Sequence, residues 1–153
     1  VMARRHDKKV ILNPAPACAL PDTLLQDLYL ITPNITEAES LTGTVIADEE
    51  SCRQAAKKLK DRGVRNVVIT LGSRGAYIDS DEFVGPVKGV KATVVDTTGA
   101  GDIFNGAMTL ALSHGKSLLD AVNFANRAAA LSVTRPGAQD SIPYRSELEL
   151  IPN

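Results

Sequence analysis

Residues 48–72 read DEESCRQAAKKLKDRGVRNVVITLG, and this stretch decides the fold class. Asp48 is a good helix opener. Cys52, Ala55, Ala56 and Leu59 follow at i, i+3, i+4 and i+7, one apolar stripe of a helix. Lys57, Lys58, Lys60, Asp61 and Arg62 take the polar side, and Gly63 stands where the residue past a helix end belongs. Asn66-Val67-Val68-Ile69-Thr70-Leu71 comes next, rich in β-branched residues and closed by Gly72. A continuous apolar run of that length suits a strand buried on both faces of a parallel sheet. Upstream, Val10-Ile11-Leu12 and Leu28-Tyr29-Leu30-Ile31 are shorter runs of the same kind. Thr36 and Glu39 fit a capping box that opens another helix, with Thr36 as N-cap. Strand, helix, strand at this spacing is a βαβ unit, so the expected class is α/β.

Downstream the period shortens. Between Gly75 and Val95, the segments Ala76-Tyr77-Ile78, Phe83-Val84 and Thr93-Val94-Val95 read as antiparallel strands or a meander. Asp96-Thr97-Thr98-Gly99-Ala100-Gly101-Asp102 then leads into a helix expected from about Ile103 to Ser113 and stopped by Gly115. Ser117 and Asp120 form a second capping box. Its helix runs to about Val133 and is apolar over most of its surface, so it should be buried. Arg135-Pro136-Gly137 breaks it, and a last short helix is expected over Tyr144 to Leu150. There is no internal repeat and no low-complexity linker, and one domain is expected.

Composition narrows the function. The chain has 153 residues, and its 17 Lys+Arg against 18 Asp+Glu leave a net charge of −1. Nucleic-acid binders carry a basic excess or a basic stripe, and aromatics are only 4% with no Trp. A nucleic-acid partner is therefore not expected. No apolar run reaches the ~18 residues of a membrane span. His6 and His114 lack neighbours at ligand spacing, which argues against zinc. Cys18 and Cys52 read as two reduced core thiols. No signal-peptide pattern is present, and the expected compartment is the cytoplasm. The chain opens on Val1 and meets a strand almost at once, so it reads as cut from something longer.

The loop from Asp96 to Asp102 carries the chemistry. Two glycines flank one alanine where a strand gives way to a helix, so a ligand can approach the backbone closely. Amides of Gly99, Ala100 and Gly101 at a helix N-terminus bind anions, phosphate above all. Gly101 and Gly106 have Walker A separation, but Ala107-Met108 replaces the Lys-Ser/Thr pair. Phe104 occupies the third-glycine position of a dinucleotide fingerprint. Asp102 follows the amides directly. An alcohol hydrogen-bonded to it can attack a phosphorus whose oxygens face those amides. The bland alternative is that Asp102 merely complements the helix dipole.

Asp96-Thr97-Thr98-Gly99-Ala100-Gly101-Asp102 closely resembles the C-terminal signature of the ribokinase-like (PfkB) carbohydrate kinases. Asn13-Pro14-Ala15-Pro16-Ala17, Thr32-Pro33-Asn34-Ile35-Thr36-Glu37-Ala38-Glu39 and Thr70-Leu71-Gly72-Ser73-Arg74-Gly75 resemble further segments of that family. So do Ala125-Asn126-Arg127-Ala128-Ala129-Ala130 and Val133-Thr134-Arg135-Pro136-Gly137-Ala138-Gln139. The order is the family's order, and the resemblance covers essentially all 153 residues but only the C-terminal half of such a kinase. It implies a three-layer α/β/α fold with a mostly parallel sheet and a small antiparallel meander.

The resemblance also implies roles. Asp102 is the catalytic base, and Gly99, Ala100 and Gly101 form the anion hole. Asn34 and Glu37 organise Mg²⁺ and the ATP phosphates, while Glu39 stays a capping residue. Thr70, Gly72, Gly75 and Asn126 contact the nucleoside, with Asn123 the weaker candidate. An Asn in an apolar helix needs a partner, and a nucleoside edge would provide one. Asp96, the Thr98 carbonyl, backbone around Ser132, Arg135 and Gly137, and Ser141 match a K⁺ site. The implied reaction is ATP-dependent phosphorylation of a sugar's primary hydroxyl, D-ribose first, with deoxyribose, fructose or a nucleoside as other acceptors. The implied partners are ATP, a sugar, the N-terminal half with its Gly-Gly motif and lid, and a second copy in a homodimer of the intact protein. A nucleotide-binding or structural module without turnover is the competing reading.

Overall fold

A computed structural model describes residues 2–148. In chain order the elements are α1 (Met2–Arg5), β1 (Ile11–Leu12), α2 (Asp22–Leu25), β2 (Leu30–Ile31), α3 (Ile35–Thr42) and α4 (Glu49–Asp61). Then follow β3 (Asn66–Thr70), a 3₁₀ turn (Gly72–Arg74), β4 (Gly75–Asp79), β5 (Val84–Lys88), α5 (Ala100–Ser113), α6 (Leu118–Ser132) and α7 (Arg145–Leu148). The fold is α/β. One mixed sheet runs in the order β1-β2-β3-β4-β5. β1, β2 and β3 are parallel, with Ile11 opposite Leu30 and Leu30 opposite Asn66. β4 returns antiparallel to β3, with Val68 opposite Ile78.

The chain forms two compact units. One takes the residues up to Leu71 together with Ala76–Pro86, and the other takes Gly72–Gly75 together with the residues from Val87 onward. In the first unit β3 is the centre. Val67, Val68 and Ile69 are fully buried, so both faces of the strand are covered, as its unbroken apolar run requires. α4 packs its stripe of Cys52, Ala55, Ala56 and Leu59 into the same cluster as Val67 and Ile69. Asp48 caps α4 by accepting from the Ser51 amide at 2.9 Å. Arg62, just past the helix end, ties three segments together: it donates to the Asp22 carboxylate (2.8 Å) and to the Leu20 and Leu41 carbonyls (2.7 and 3.4 Å).

In the second unit α5 and α6 pack along each other. Phe104, Met108, Leu118, Ala121, Val122, Ala125 and Ala128 are buried there. Ser117 caps α6 by accepting from the Asp120 amide at 3.1 Å.

Four expectations are corrected. α3 is capped one step earlier than Thr36 and Glu39: Asn34 is the N-cap and Glu37 its reciprocal partner. Asn caps as well as Thr does, and here the helix starts at Ile35, directly after Asn34. Glu39 instead accepts from the Ile46 amide at 2.8 Å. Thr93-Val94-Val95 is no strand, because the Val95 and Asp96 amides both donate to the Val133 carbonyl (2.7 and 3.2 Å) rather than to a ladder. Helix α5 begins at Ala100, three residues early, so the glycine loop is itself the first helical turn. Cys18 is exposed, and only Cys52 is a core thiol. The last helix covers Arg145–Leu148, and its expected extension to Leu150 lies outside the described residues. Among the described residues no helix is long and apolar enough to cross a membrane.

Gly75 marks the tightest backbone approach in the second unit. Its φ is +98°, and a Cβ there would lie 2.1 Å from the Val87 carbonyl oxygen and 2.4 Å from the Gly89 nitrogen. Gly75→Ala is expected to lower stability by about 2 kcal/mol or more in denaturant unfolding. Gly106→Ala, inside α5 with nothing within 4 Å of the new methyl, should instead raise it by roughly 0.5–1 kcal/mol. Equal effects of the two would contradict this account.

Candidate functional site

The Asp96–Asp102 loop is organised by one carboxylate. Asp96 Oδ1 accepts from the Thr98 amide (2.9 Å) and hydroxyl (2.7 Å), and Oδ2 accepts from the Gly137 amide at 2.9 Å. These donors, the Thr98 hydroxyl first, pull the Asp96 pKa down to about 2. The chain then turns sharply, with the Ala100 amide on the Thr97 carbonyl at 3.2 Å. Gly99 is the N-cap of α5 with φ +74°. Ala138 sits behind it: a Cβ on Gly99 would lie 3.3 Å from the Ala138 methyl. Glycine is thus required both by the left-handed backbone and by the close neighbour.

Gly101 and Asp102 are the second and third residues of α5 and are exposed. Their amides belong to the first turn, which a helix leaves without intrahelical acceptors. Of the three amides expected to form an anion hole, that of Ala100 already closes the turn. Asn105 donates its side-chain amide to the Gly101 carbonyl at 2.9 Å, bracing the same turn. Asp102 lines a cavity of about 470 Å³ together with Gly99, Ile103, Phe124, Ala138 and Leu148. A carboxylate and free amides on one turn can accept a proton and hold an anion side by side.

The residues matched to a cation gather around the same carboxylate. Asp96, Thr98 and Gly137 meet directly. Ser132 ends α6 next to Val133, whose carbonyl takes the Asp96 amide, and its hydroxyl donates to Ala129 at 2.8 Å. Ser141 is buried and donates to the Ala138 carbonyl at 2.9 Å. Arg135 donates its amide to Ser132 at 3.1 Å and both guanidinium ends to Glu147. That guanidinium, then the Tyr144 amide, holds the Glu147 carboxyl below its ordinary range. The Asp96 carboxylate and the Thr98 and Ser141 hydroxyls are oxygens of the type a hard cation such as K⁺ takes, while the main-chain groups that meet Asp96 are the Thr98 and Gly137 N–H donors. Among the described residues no three His, Cys, Asp or Glu side chains cluster as metal ligands.

The remaining candidates divide between the units. In the first, Asn34 and Thr70 lie side by side as an isolated parallel bridge at the carboxyl ends of β2 and β3. Such strand ends are where open α/β sheets bind ligands. Asn34 Oδ1 accepts from the Glu37 amide (2.9 Å), and Glu37 Oε2 accepts from the Asn34 amide (2.8 Å). The cap leaves Asn34 Nδ2 and Glu37 Oε1 for other partners, a donor and an acceptor fit for phosphate and for hydrated Mg²⁺. In the second unit Gly72 is exposed with φ +61° and open space around it, whereas Gly75 is buried against β5. Asn126 is buried on α6 and donates one amide hydrogen to the Lys88 carbonyl at 3.3 Å, which meets part of its hydrogen-bonding need within the chain. Asn123 is exposed and bonds back to Leu119 on its own helix. Sequence reasoning missed Ala138, Asn105 and Glu147. Each acts through one contact with the loop or its neighbours, and nothing in local spacing marks such a contact.

The Asp96 pKa carries a pH signature. Its folded value, about 2, lies below the ordinary 3.8, so its stabilising effect is complete above about pH 4 and lost as pH falls towards 2. In sodium buffer, Asp96→Asn should lower the melting temperature at neutral pH, and the gap to wild type should close between pH 4 and 2. A gap that persists unchanged at pH 2 would contradict the assignment.

The pfkB family carbohydrate kinase profile matches residues 1–145. A Haemophilus influenzae ribokinase is 47% identical over 146 residues, 95% of this chain and 48% of the relative. A mouse ribokinase is 44% identical over 156 aligned residues, 97% of this chain and 48% of the relative. Among solved structures, a Thermotoga maritima ribokinase superposes with TM-score 0.86 at 42% identity, covering 96% of this chain and 50% of that one. An Arabidopsis thaliana ribokinase complexed with ribose and ATP superposes with TM-score 0.90 at 34% identity, covering 95% and 47%. The chain therefore spans about half the length of the relatives it matches. With the family profile matched almost end to end, on a chain whose glycine turn bears Asp102, this protein belongs to the pfkB family of carbohydrate kinases.

Proposed function

We propose that this chain is the nucleotide-binding, catalytic C-terminal portion of an ATP-dependent kinase that phosphorylates O5 of D-ribose. One observation carries the reading: Asp102 occupies the third position of α5, on the same turn as the first-turn amide of Gly101 and directly after the left-handed start at Gly99. Asp102 takes the proton of the sugar hydroxyl as its oxygen attacks the γ-phosphorus of ATP, and the bond to ADP breaks. The Gly99-Ala100-Gly101 segment holds the phosphoryl oxygens, with Gly101 as the helix-turn donor. Asn34 and Glu37 orient the phosphates, and Thr70, Gly72, Gly75 and Asn126 hold the nucleoside. Mg²⁺ near Glu37 and K⁺ near Asp96 would supply positive charge to the phosphates and to the loop.

The choice of ribose rests on relatives named ribokinase and on the relative solved with ribose and ATP. The extra length of those relatives supports a second, sugar-binding half in the full-length protein. Asp102 is then the residue of this chain that touches the acceptor.

In the full-length protein, Asp102→Asn is expected to lower kcat by about 10²–10⁴ while ATP affinity, measured by calorimetry, stays nearly unchanged. Turnover like that of wild type would remove Asp102 as base. ATP binding without any transfer by the wild-type protein would favour the binding-module reading. Turnover should be higher in potassium than in sodium-only buffer, and equal rates would remove the K⁺ site.

A further inference from the structure

We propose that Glu147 is a positioning residue: its ion pair with Arg135 latches the 135–148 segment so that Gly137 and Ala138 hold the glycine turn in shape. The Glu147 carboxylate accepts three bonds. Both guanidinium ends of Arg135 donate to it, Nη1 to Oε2 at 3.3 Å and Nη2 to Oε1, and the Tyr144 amide donates to Oε2 at 2.8 Å. Two bonds to one planar guanidinium fix orientation as well as distance. The side chains are about a third exposed, 31% and 33%, so the pair is less screened than one on the open surface.

The pair closes a loop, because its partners stand 12 residues apart. Inside that loop lie the two contacts that shape the site: the Gly137 amide on Asp96 Oδ2 at 2.9 Å, and Ala138 packed behind Gly99. Ser141 folds back onto Ala138 at 2.9 Å, and buried Leu148 anchors the far end. Holding the ends of a segment together restricts how far its middle can move. Arg135 lies two residues before Gly137, so the guanidinium end of the latch is nearly at the turn it holds. The bonds of Glu147 go to Arg135 and Tyr144, and Glu147 acts on the site through the backbone it holds.

The kinetic arm of the test rests on the phosphoryl-transfer reading, and the exchange arm does not. In Glu147→Ala, amide hydrogen exchange over residues 132–141 should quicken about tenfold, with exchange in α4 unchanged. In the full-length protein kcat should fall about tenfold while KM for ribose stays the same. Glu147→Gln, whose single carbonyl oxygen can accept from the Tyr144 amide and one Arg135 nitrogen but which loses the second guanidinium bond and the charge, should fall between Ala and wild type in both. If Glu147→Ala also loosens α4, the Gln variant decides. Unchanged exchange over 132–141 in the folded variants, or faster exchange with wild-type turnover, overturns the latch. If the wild-type protein phosphorylates no sugar, the kinase reading fails, and the exchange result alone decides whether the latch exists.

Discussion

The carboxylate of Asp96 is the constraint on which the rest of the site depends. It faces three donors, two from Thr98 close by and one from Gly137, 41 residues further along the chain. A single ionised group thereby sets the entry into α5 and the exit from α6 together. Remove its charge and the Thr98 turn, the left-handed Gly99 and the first-turn amides lose their common reference. The side chain donates nothing to a ligand in that role. It acts by fixing where backbone atoms stand.

The proposed function asks a protein with no net basicity and few aromatics to hold a polyanion. Its charge is −1 over 153 residues, so long-range attraction contributes little. The proposed binding elements are main-chain donors at a helix start, and these depend on backbone geometry rather than charge density. Glycines provide the geometry only where the neighbours demand it. Gly99 is crowded by Ala138, and Gly75 by the backbone of β5, while Gly101 has open space around it.

Much of the fold was readable because burial leaves periodic marks. The stripe from Cys52 to Leu59 and the run from Asn66 to Thr70 are long enough for period to decide between helix and strand. Val94 and Val95 misled for the same reason. They are β-branched and adjacent, yet exposed at 59% and 61%, because their segment bonds to a helix end. The cap of α3 was displaced because Asn34 and Thr36 are both good caps, and only the start of the helix at Ile35 separates them. At the site, the motif residues were readable and their braces were not. Nothing in the sequence near Gly99 announces Ala138, and nothing near Arg135 announces Glu147.

The reciprocal cap of α3 has an evolutionary consequence. Asn34 and Glu37 spend one oxygen each on the helix start, so exchange of either for a residue without a capping oxygen also weakens the fold. On the proposed roles of these residues, drift at the two positions is opposed twice, once through ligand handling and once through folding. A lineage that abandoned catalysis would still be under pressure to keep them. Their presence in a distant homologue would then testify to an intact α3 cap, and would be poor testimony to an active kinase.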